Sequence, residues 1–179
     1  MKHFYILLAL FFGITSNTKA QDPRRPEKAC VQFDNQTLIL AFEGNDPSHP
    51  IKEFIPAGEN INSWTKLASI QEYPEALDPK TFASTMVRVL KAQNPQSRNR
   101  VIENSETGEV LLDFITWPEN CEYVEFNIFK FAKKKGRGVI AFQYALRKYG
   151  DSTAFLTDLK GTRIRLVNMM ATDGFKITE

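Results

Sequence analysis

Histidine and cysteine are scarce in this sequence, and their scarcity argues against most catalytic and metal-binding designs. The 179 residues include two of each. His3 lies in the N-terminal segment, so a Ser-His-Asp or Cys-His centre would have to use His49, which stands in a loop between two prolines. No GxSxG, CxxC or HxxxH motif is present. We therefore expect a solvated histidine, no enzyme, no metal site and no cofactor.

Long apolar runs are absent beyond the N-terminus. Residues Met1–Ala20 combine a short positive start, an apolar run over Phe4–Ile14 and small residues at Thr18 and Ala20. This pattern predicts a secretory signal peptide over residues 1–20, because the apolar run is shorter than the roughly 20 residues that span a bilayer as a helix. We expect an exported protein, periplasmic or secreted, without stable membrane insertion.

Net charge is also missing once the predicted signal peptide is set aside. The full chain has 23 basic and 21 acidic residues, and residues 1–20 hold two lysines and no carboxylate. The exported chain would therefore carry equal numbers of basic and acidic residues. Such a chain has no overall positive field to gather phosphate backbones, so we expect no nucleic-acid partner.

The two cysteines, Cys30 and Cys121, both follow the predicted cleavage point. An exported chain with an even number of cysteines commonly pairs them, because its compartment is oxidising. The sequence therefore predicts a disulfide between Cys30 and Cys121. The alternative is two unrelated thiols, since sequence alone does not show that two cysteines are close.

The rest of the chain is predicted to form one domain. Residues 21–35 begin with the polar stretch QDPRRPEK, which contains two prolines, and are predicted to be a flexible N-terminal segment. A single domain is predicted over residues 36–179, a length that suits one hydrophobic core.

Two helices are expected among short apolar runs that are typical of strands. The first begins at Asp78 and Pro79, which suit an N-cap and the first helical position, and ends before Pro95. The second has N-cap candidates at residues 151–153 and apolar residues at helical spacing up to about Ala171.

The strands on either side of the basic stretch are apolar on both faces. Phe126 and Ile128 alternate with Phe129 and Phe131 on the first strand, and the second strand is similarly two-sided. An antiparallel sheet with one wet face would not show this pattern, so both faces must be covered. The order of strands, helix, four strands and helix therefore predicts an α+β domain in which helices cover an antiparallel sheet.

The basic stretch itself reads FKFAKKKGRGVIAF over residues 129–142. A phosphate-binding loop needs its glycines before a Lys-Ser/Thr pair and a helix after it, whereas here a strand follows. The leading interpretation is a solvated hairpin tip, in which lysines oppose edge-to-edge aggregation. The alternative is a loop that binds an anion or an acidic partner. Its candidate binding residues are Lys133, Lys134, Lys135 and Arg137.

The stretch KEFIPAGENINSWTKLASIQEYP, residues 52–74, resembles bacterial secreted members of the Mog1/PsbP-like group. The following helix, the segment LLDFITWP and the strand pair CEYVEFNIFKFA and GVIAFQYALRKYG fit the same order, so the resemblance spans residues 51–149. It implies an α/β/α sandwich around an antiparallel sheet of about six strands, with helices on both faces. It carries no catalytic signature and implies no functional residue.

Three functional hypotheses follow from these observations. The first is an exported, non-enzymatic accessory protein that acts through contact with another protein. The second is a small-molecule or lipid-binding domain, with an aromatic-lined pocket between helix and sheet. The third and weakest is a hydrolase that uses scattered carboxylates or His49.

Overall fold

The computed structural model describes residues 29–178, so the predicted signal peptide and residues 21–28 lie outside the described part of the chain. The elements, in chain order, are β1 (Cys30–Phe33), β2 (Gln36–Gly44), β3 (Ile51–Pro56), β4 (Lys66–Tyr73), α1 (Pro79–Gln93), β5 (Arg98–Glu103), β6 (Val110–Thr116), β7 (Tyr123–Lys133), β8 (Val139–Tyr149), α2 (Thr153–Thr172) and β9 (Lys176–Thr178).

Within residues 29–178, nine strands form one sheet in the order β5-β6-β7-β8-β4-β3-β2-β1-β9. Every neighbouring pair is antiparallel. The prediction of an α/β/α sandwich around about six strands is therefore wrong, because a nine-stranded sheet with two helices is dominated by its sheet. The sequence did not indicate β1 or β9, which are only four and three residues long.

The helix α1 begins as the sequence predicts. The Asp78 side chain accepts a hydrogen bond from the backbone N–H of Thr81 at 2.8 Å, and Pro79 follows at the first helical position. The buried side of α1 includes Phe82, Met86 and Leu90. It packs on the sheet face formed by side chains of β6, β7 and β8: Val110, Leu112, Phe114, Phe129, Phe131, Val139 and Ala141.

The helix α2 packs on the opposite face of the same strands. Its buried residues Leu159, Leu166, Val167 and Met170 contact a cluster that includes Phe126, Ile128 and Tyr144. The two-sided pattern of the β7–β8 hairpin is explained by this arrangement, because alternate side chains meet a different helix. Each helix covers only part of its face, since the sheet is nine strands wide.

Cys30 and Cys121 are both free thiols, so the predicted disulfide is not formed in the structure. Cys30 lies in β1, whereas Cys121 lies in the turn that precedes β7. Five inter-strand steps separate β1 from β7, which is about 24 Å at the usual strand spacing. A disulfide requires Cα atoms closer than about 7 Å, so the sheet order itself keeps the two residues apart.

We expect thiol titration of the folded protein, without reductant, to show one fast-reacting and one slow-reacting cysteine. Cys121 is exposed and should react first with Ellman's reagent, while the half-buried Cys30 should react more slowly. Both should react at the same fast rate in denaturant. If neither the folded nor the denatured protein reacted with Ellman's reagent until reductant was added, the two cysteines would instead be joined by a disulfide.

Candidate functional site

A cavity of about 700 Å³ opens between α2 and one end of the sheet. It lies where β5 begins, β6 ends, β7 begins and β8 ends, beside the first turns of α2. We call it the α2 pocket. Its lining residues are Arg98, Ile115, Trp117, Cys121, Val124, Gly150, Asp151, Ser152, Leu156, Leu159, Lys160 and Arg163.

The walls of the α2 pocket are mainly apolar because of strand and helix periodicity. Ile115 and Val124 project from β6 and β7 on the face that α2 covers. Leu156 and Leu159 come from α2, three residues apart, so they share one side of the helix. Trp117, just beyond the end of β6, adds an aromatic side chain. These walls suit the apolar body of a ligand.

Charged groups at the α2 pocket are mostly basic. Arg163 forms an ion pair with Asp113, which is 2% exposed, and burial raises the pKa of that carboxyl above its usual value. Arg98 and Lys160 form no ion pair with any residue in the described part of the chain. Asp151, the one carboxylate among the described lining residues, accepts a hydrogen bond from the backbone N–H of Thr153 at 2.9 Å.

A second unusual feature is a line of polar side chains on the face that α1 covers. It runs across β3, β4, β8 and β7 between two apolar clusters. We call it the polar seam, and its members are Glu53, Ser69, Gln71, Asn127 and Gln143. All except the half-buried Gln143 are buried.

Hydrogen bonds join the amide and hydroxyl groups of the polar seam into one chain. The Gln71 amide donates to Ser69 Oγ at 2.7 Å and to Gln143 Oε1 at 2.9 Å. The Gln143 amide donates in turn to Asn127 Oδ1 at 2.7 Å. Buried polar groups that satisfy one another in this way fix the strand register, because a slip of one residue would leave them unpaired.

An ion pair continues the polar seam at its β7 end. Asn127 donates to Glu125 Oε1 at 2.8 Å, and Arg147 Nε donates to Glu125 Oε2 at 2.9 Å. The Arg147 guanidinium also lies 3.7 Å from the ring centre of Trp64 and 4.3 Å from that of Tyr123. Arg147 is therefore held by one carboxylate and two aromatic faces.

His49 and Tyr73 close the other end of the polar seam. Tyr73 donates to Gln71 Oε1 at 2.5 Å, and the His49 ring stacks on the Tyr73 ring with centres 4.6 Å apart. His49 Nε2 also lies 3.3 Å from Gln71 Oε1. The expectation of a solvated histidine is corrected, because His49 is half-buried against a tyrosine.

Glu53 is the member of the polar seam whose bonding is incomplete. It is 6% exposed, and its Oε2 atom has no hydrogen-bond partner among the described residues. Burial raises the pKa of this carboxyl to about 7, against a smaller opposing effect from Arg147. The carboxyl therefore titrates near neutral pH within the sheet face.

The predicted basic binding residues lie together at the β7–β8 hairpin tip. Lys134 forms an ion pair with Glu72, and Arg137 pairs with Glu75 at 2.7 Å. Lys133 and Lys135 are exposed and form no ion pair with any described residue. Binding of an anion or acidic partner at this tip stays a prediction.

The hairpin tip also meets the loop before α1 closely. Gly138 has a φ of 96°, and a Cβ placed on it would lie 2.6 Å from the backbone oxygen of Tyr73. Only glycine fits both the backbone angle and the contact. This close approach places the tip beside Glu72 and Glu75, so two of the four cations contribute to the local structure.

Sequence reasoning missed both the α2 pocket and the polar seam. The pocket depends on where α2 sits over strand ends that are distant in sequence, and the sequence carries no signal for that placement. The seam had a readable signal: Asn127 and Gln143 interrupt otherwise apolar faces that contain Phe129, Phe131 and Ala141. Polar residues at apolar positions in two adjacent strands indicate a buried polar contact.

Membrane-spanning helices and clustered metal ligands are both missing from residues 29–178. No helix in this range is long and apolar enough to cross a membrane. No group of three or more His, Cys, Asp or Glu side chains in the same range comes together in a way that would hold a metal ion.

A protein-family model of uncharacterised function matches residues 25–174, which is most of the chain. Nothing in this match links the chain to the Mog1/PsbP-like group, so that resemblance stays a prediction. A search of curated proteins and a search of solved structures each gave no match.

Proposed function

We propose that the chain is a binding protein that holds a small molecule in the α2 pocket. The chain belongs to the protein family whose sequence model matches residues 25–174. The observation that carries the proposal is the cavity of about 700 Å³ with mainly apolar walls. Sites for small molecules are typically concave, between about 300 and 1,000 Å³, and apolar with a few polar groups. The α2 pocket has this size and composition.

This proposal develops the second of the three functional hypotheses and corrects its chemistry. A pocket between helix and sheet is present, but among residues 29–178 Trp117 is its one aromatic lining residue and no phenylalanine lines it. The phenylalanines of the described chain, apart from the exposed Phe42, belong to the two core clusters instead. Aliphatic side chains and Trp117 would contact the ligand.

The proposal keeps the expectation of an exported accessory protein but ranks protein contact second. Large exposed apolar side chains on the described residues lie on different elements, such as Phe42 on β2, Leu77 before α1 and Ile164 on α2. Scattered apolar residues are normal on a protein surface, whereas a contiguous patch would favour a protein interface. The cavity is the more specific observation.

We expect purified protein to bind the neutral fluorophore N-phenyl-1-naphthylamine saturably, and Leu156→Trp to weaken that binding by at least about tenfold. Leu156 lines the α2 pocket, so a larger side chain there removes the space that the fluorophore needs. The measurement is a fluorescence titration, with the thermal unfolding midpoint of each variant recorded to show that it folds.

Ile164→Trp is the matched control for this experiment. Ile164 lies on the same helix, is 64% exposed and does not line the α2 pocket, so its replacement should leave binding unchanged. Absence of binding to the wild-type protein, or equal binding to both folded tryptophan variants, would contradict the proposed function.

A further inference from the structure

We infer that the ligand of the α2 pocket is an amphipathic anion, with an apolar body against α2 and a carboxylate or phosphate head at Arg98 and Lys160. This inference rests on the proposed function, because it assigns the ligand class of the same pocket. The apolar walls account for the body of such a ligand, and the charged residues of the lining account for its head.

Charge at the mouth of the α2 pocket favours an anion. Among the described residues, three cations line it, against the single carboxylate Asp151. Elsewhere on the described chain several cations have carboxylate partners, as in Lys80 with Glu103 and Lys130 with Glu109. Arg98 and Lys160 lack such partners among the described residues, and both are exposed side chains that line the α2 pocket beside its apolar walls. A ligand anion would supply the missing partner through charge-assisted hydrogen bonds.

The start of α2 adds to the positive field. Gly150, Asp151 and Ser152 line the α2 pocket and directly precede the helix. The first four N–H groups of a helix lack intrahelical partners and carry a partial positive charge. Asp151 takes the N–H of Thr153, whereas the Ser152 side chain makes no capping hydrogen bond. The helix start is therefore only partly capped beside the two unpaired cations.

Arg163 has a different role from Arg98 and Lys160. Its guanidinium is already paired with the buried carboxylate of Asp113, which has a 3% exposed side chain. Removing Arg163 would leave that carboxylate buried without its cation, so the substitution would test folding more than binding. The head group is accordingly assigned to Arg98 and Lys160, and Arg163 contributes to the wall of the pocket.

The test compares two fluorophores with the same ring system. N-phenyl-1-naphthylamine is neutral, and 8-anilinonaphthalene-1-sulfonate carries an added sulfonate. We expect the wild-type protein to bind the anionic fluorophore more tightly, and the double variant Arg98→Gln/Lys160→Gln to weaken its binding by about tenfold or more. The neutral fluorophore should bind that variant within about twofold of wild type, since the apolar walls are unchanged.

A control variant changes the net charge equally at a distance from the α2 pocket. Arg88 on α1 and Lys176 on β9 are exposed and do not line it, so Arg88→Gln/Lys176→Gln should bind both fluorophores as the wild type does. A loss of anionic fluorophore binding in this control equal to that in the test variant would show a general charge effect and overturn the inference.

Competition identifies the head group. Dodecanoate and dodecyl phosphate should displace the anionic fluorophore, and neutral dodecanol should compete less effectively than either. The anion that displaces the fluorophore at the lower concentration shows whether a carboxylate or a phosphate is preferred. Neutral fluorophore binding without any preference for anions would overturn this inference alone. If the wild-type protein did not bind the neutral fluorophore at all, the proposed function would be overturned as well.

Discussion

Replacing Glu53 with glutamine is expected to stabilise the protein by about 3 kcal/mol at pH 8 and to leave its stability near pH 4.5 nearly unchanged. The Glu53 carboxyl is 6% exposed, and one of its oxygens has no hydrogen-bond partner among the described residues. Burial raises its pKa from 4.5 to about 7. Glutamine keeps the size of the side chain and removes the charge.

The direction of the pH effect follows from where each state releases its proton. Above pH 4.5 the unfolded chain loses the Glu53 proton, whereas the folded chain retains it up to about pH 7. The stability that Glu53 contributes is therefore fully present below pH 4.5 and is lost as the pH rises through 7. Each pH unit in this window corresponds to about 1.4 kcal/mol, which gives the expected total of about 3 kcal/mol.

Urea unfolding at several pH values between 4.5 and 8 measures this effect as the difference in unfolding free energy between wild type and Glu53→Gln. Glu106→Gln serves as the control, because Glu106 lies exposed in the β5–β6 turn. Its difference from wild type should be small and independent of pH. If the difference in unfolding free energy between wild type and Glu53→Gln were also independent of pH, Glu53 would not titrate between pH 4.5 and 8. Burial also raises the pKa of Asp113, but its contribution is common to all three proteins and cancels.

The parts of the fold that were predictable are those that local sequence determines. The start of α1 depends on Asp78 and Pro79, which act within one helical turn, and the structure places the helix there. The β7–β8 hairpin depends on alternation within two adjacent segments, and its Phe126 and Phe129 faces are as expected. In both cases a few neighbouring residues carry the full signal.

The parts that were not predictable depend on contacts between distant segments. β1 lies in the stretch predicted to be flexible, and it pairs with β9 from the far end of the described chain. The partnership of β4 with β8 has no local signal either, although it brings Ser69 and Gln71 beside Gln143. That pairing builds the polar seam, and the placement of α2 over strand ends builds the α2 pocket. The α2 pocket was therefore missed for the same reason as the sheet order, whereas the polar seam had a partial signal in Asn127 and Gln143.

Replacing Arg147 with methionine is expected to destabilise the protein by about 3–5 kcal/mol, which is the usual cost of removing one partner from a buried ion pair. The side chains of Arg147 and Glu125 are only 15% and 13% exposed. The substitution leaves Glu125 without its cation and removes the guanidinium from the faces of Trp64 and Tyr123. Because Arg147 also opposes the rise in the pKa of Glu53, that pKa should move further upward in the variant.

Arg137→Met provides a matched comparison, since Arg137 also pairs with a glutamate but the two side chains are 76% and 62% exposed. Its cost should stay below about 1 kcal/mol, as for other surface ion pairs. Equal costs for the two substitutions, measured by urea unfolding at pH 7, would mean that the Arg147–Glu125 pair is not effectively buried.

The double variant Arg147→Met/Glu125→Met should recover part of the stability lost in Arg147→Met, because no unpaired charge then remains beside the polar seam. Recovery would show that the main cost of losing Arg147 is the carboxylate left without its cation. No recovery would assign that cost to the contacts with Trp64 and Tyr123 or, in the double variant, to the lost hydrogen bond from Asn127 to Glu125.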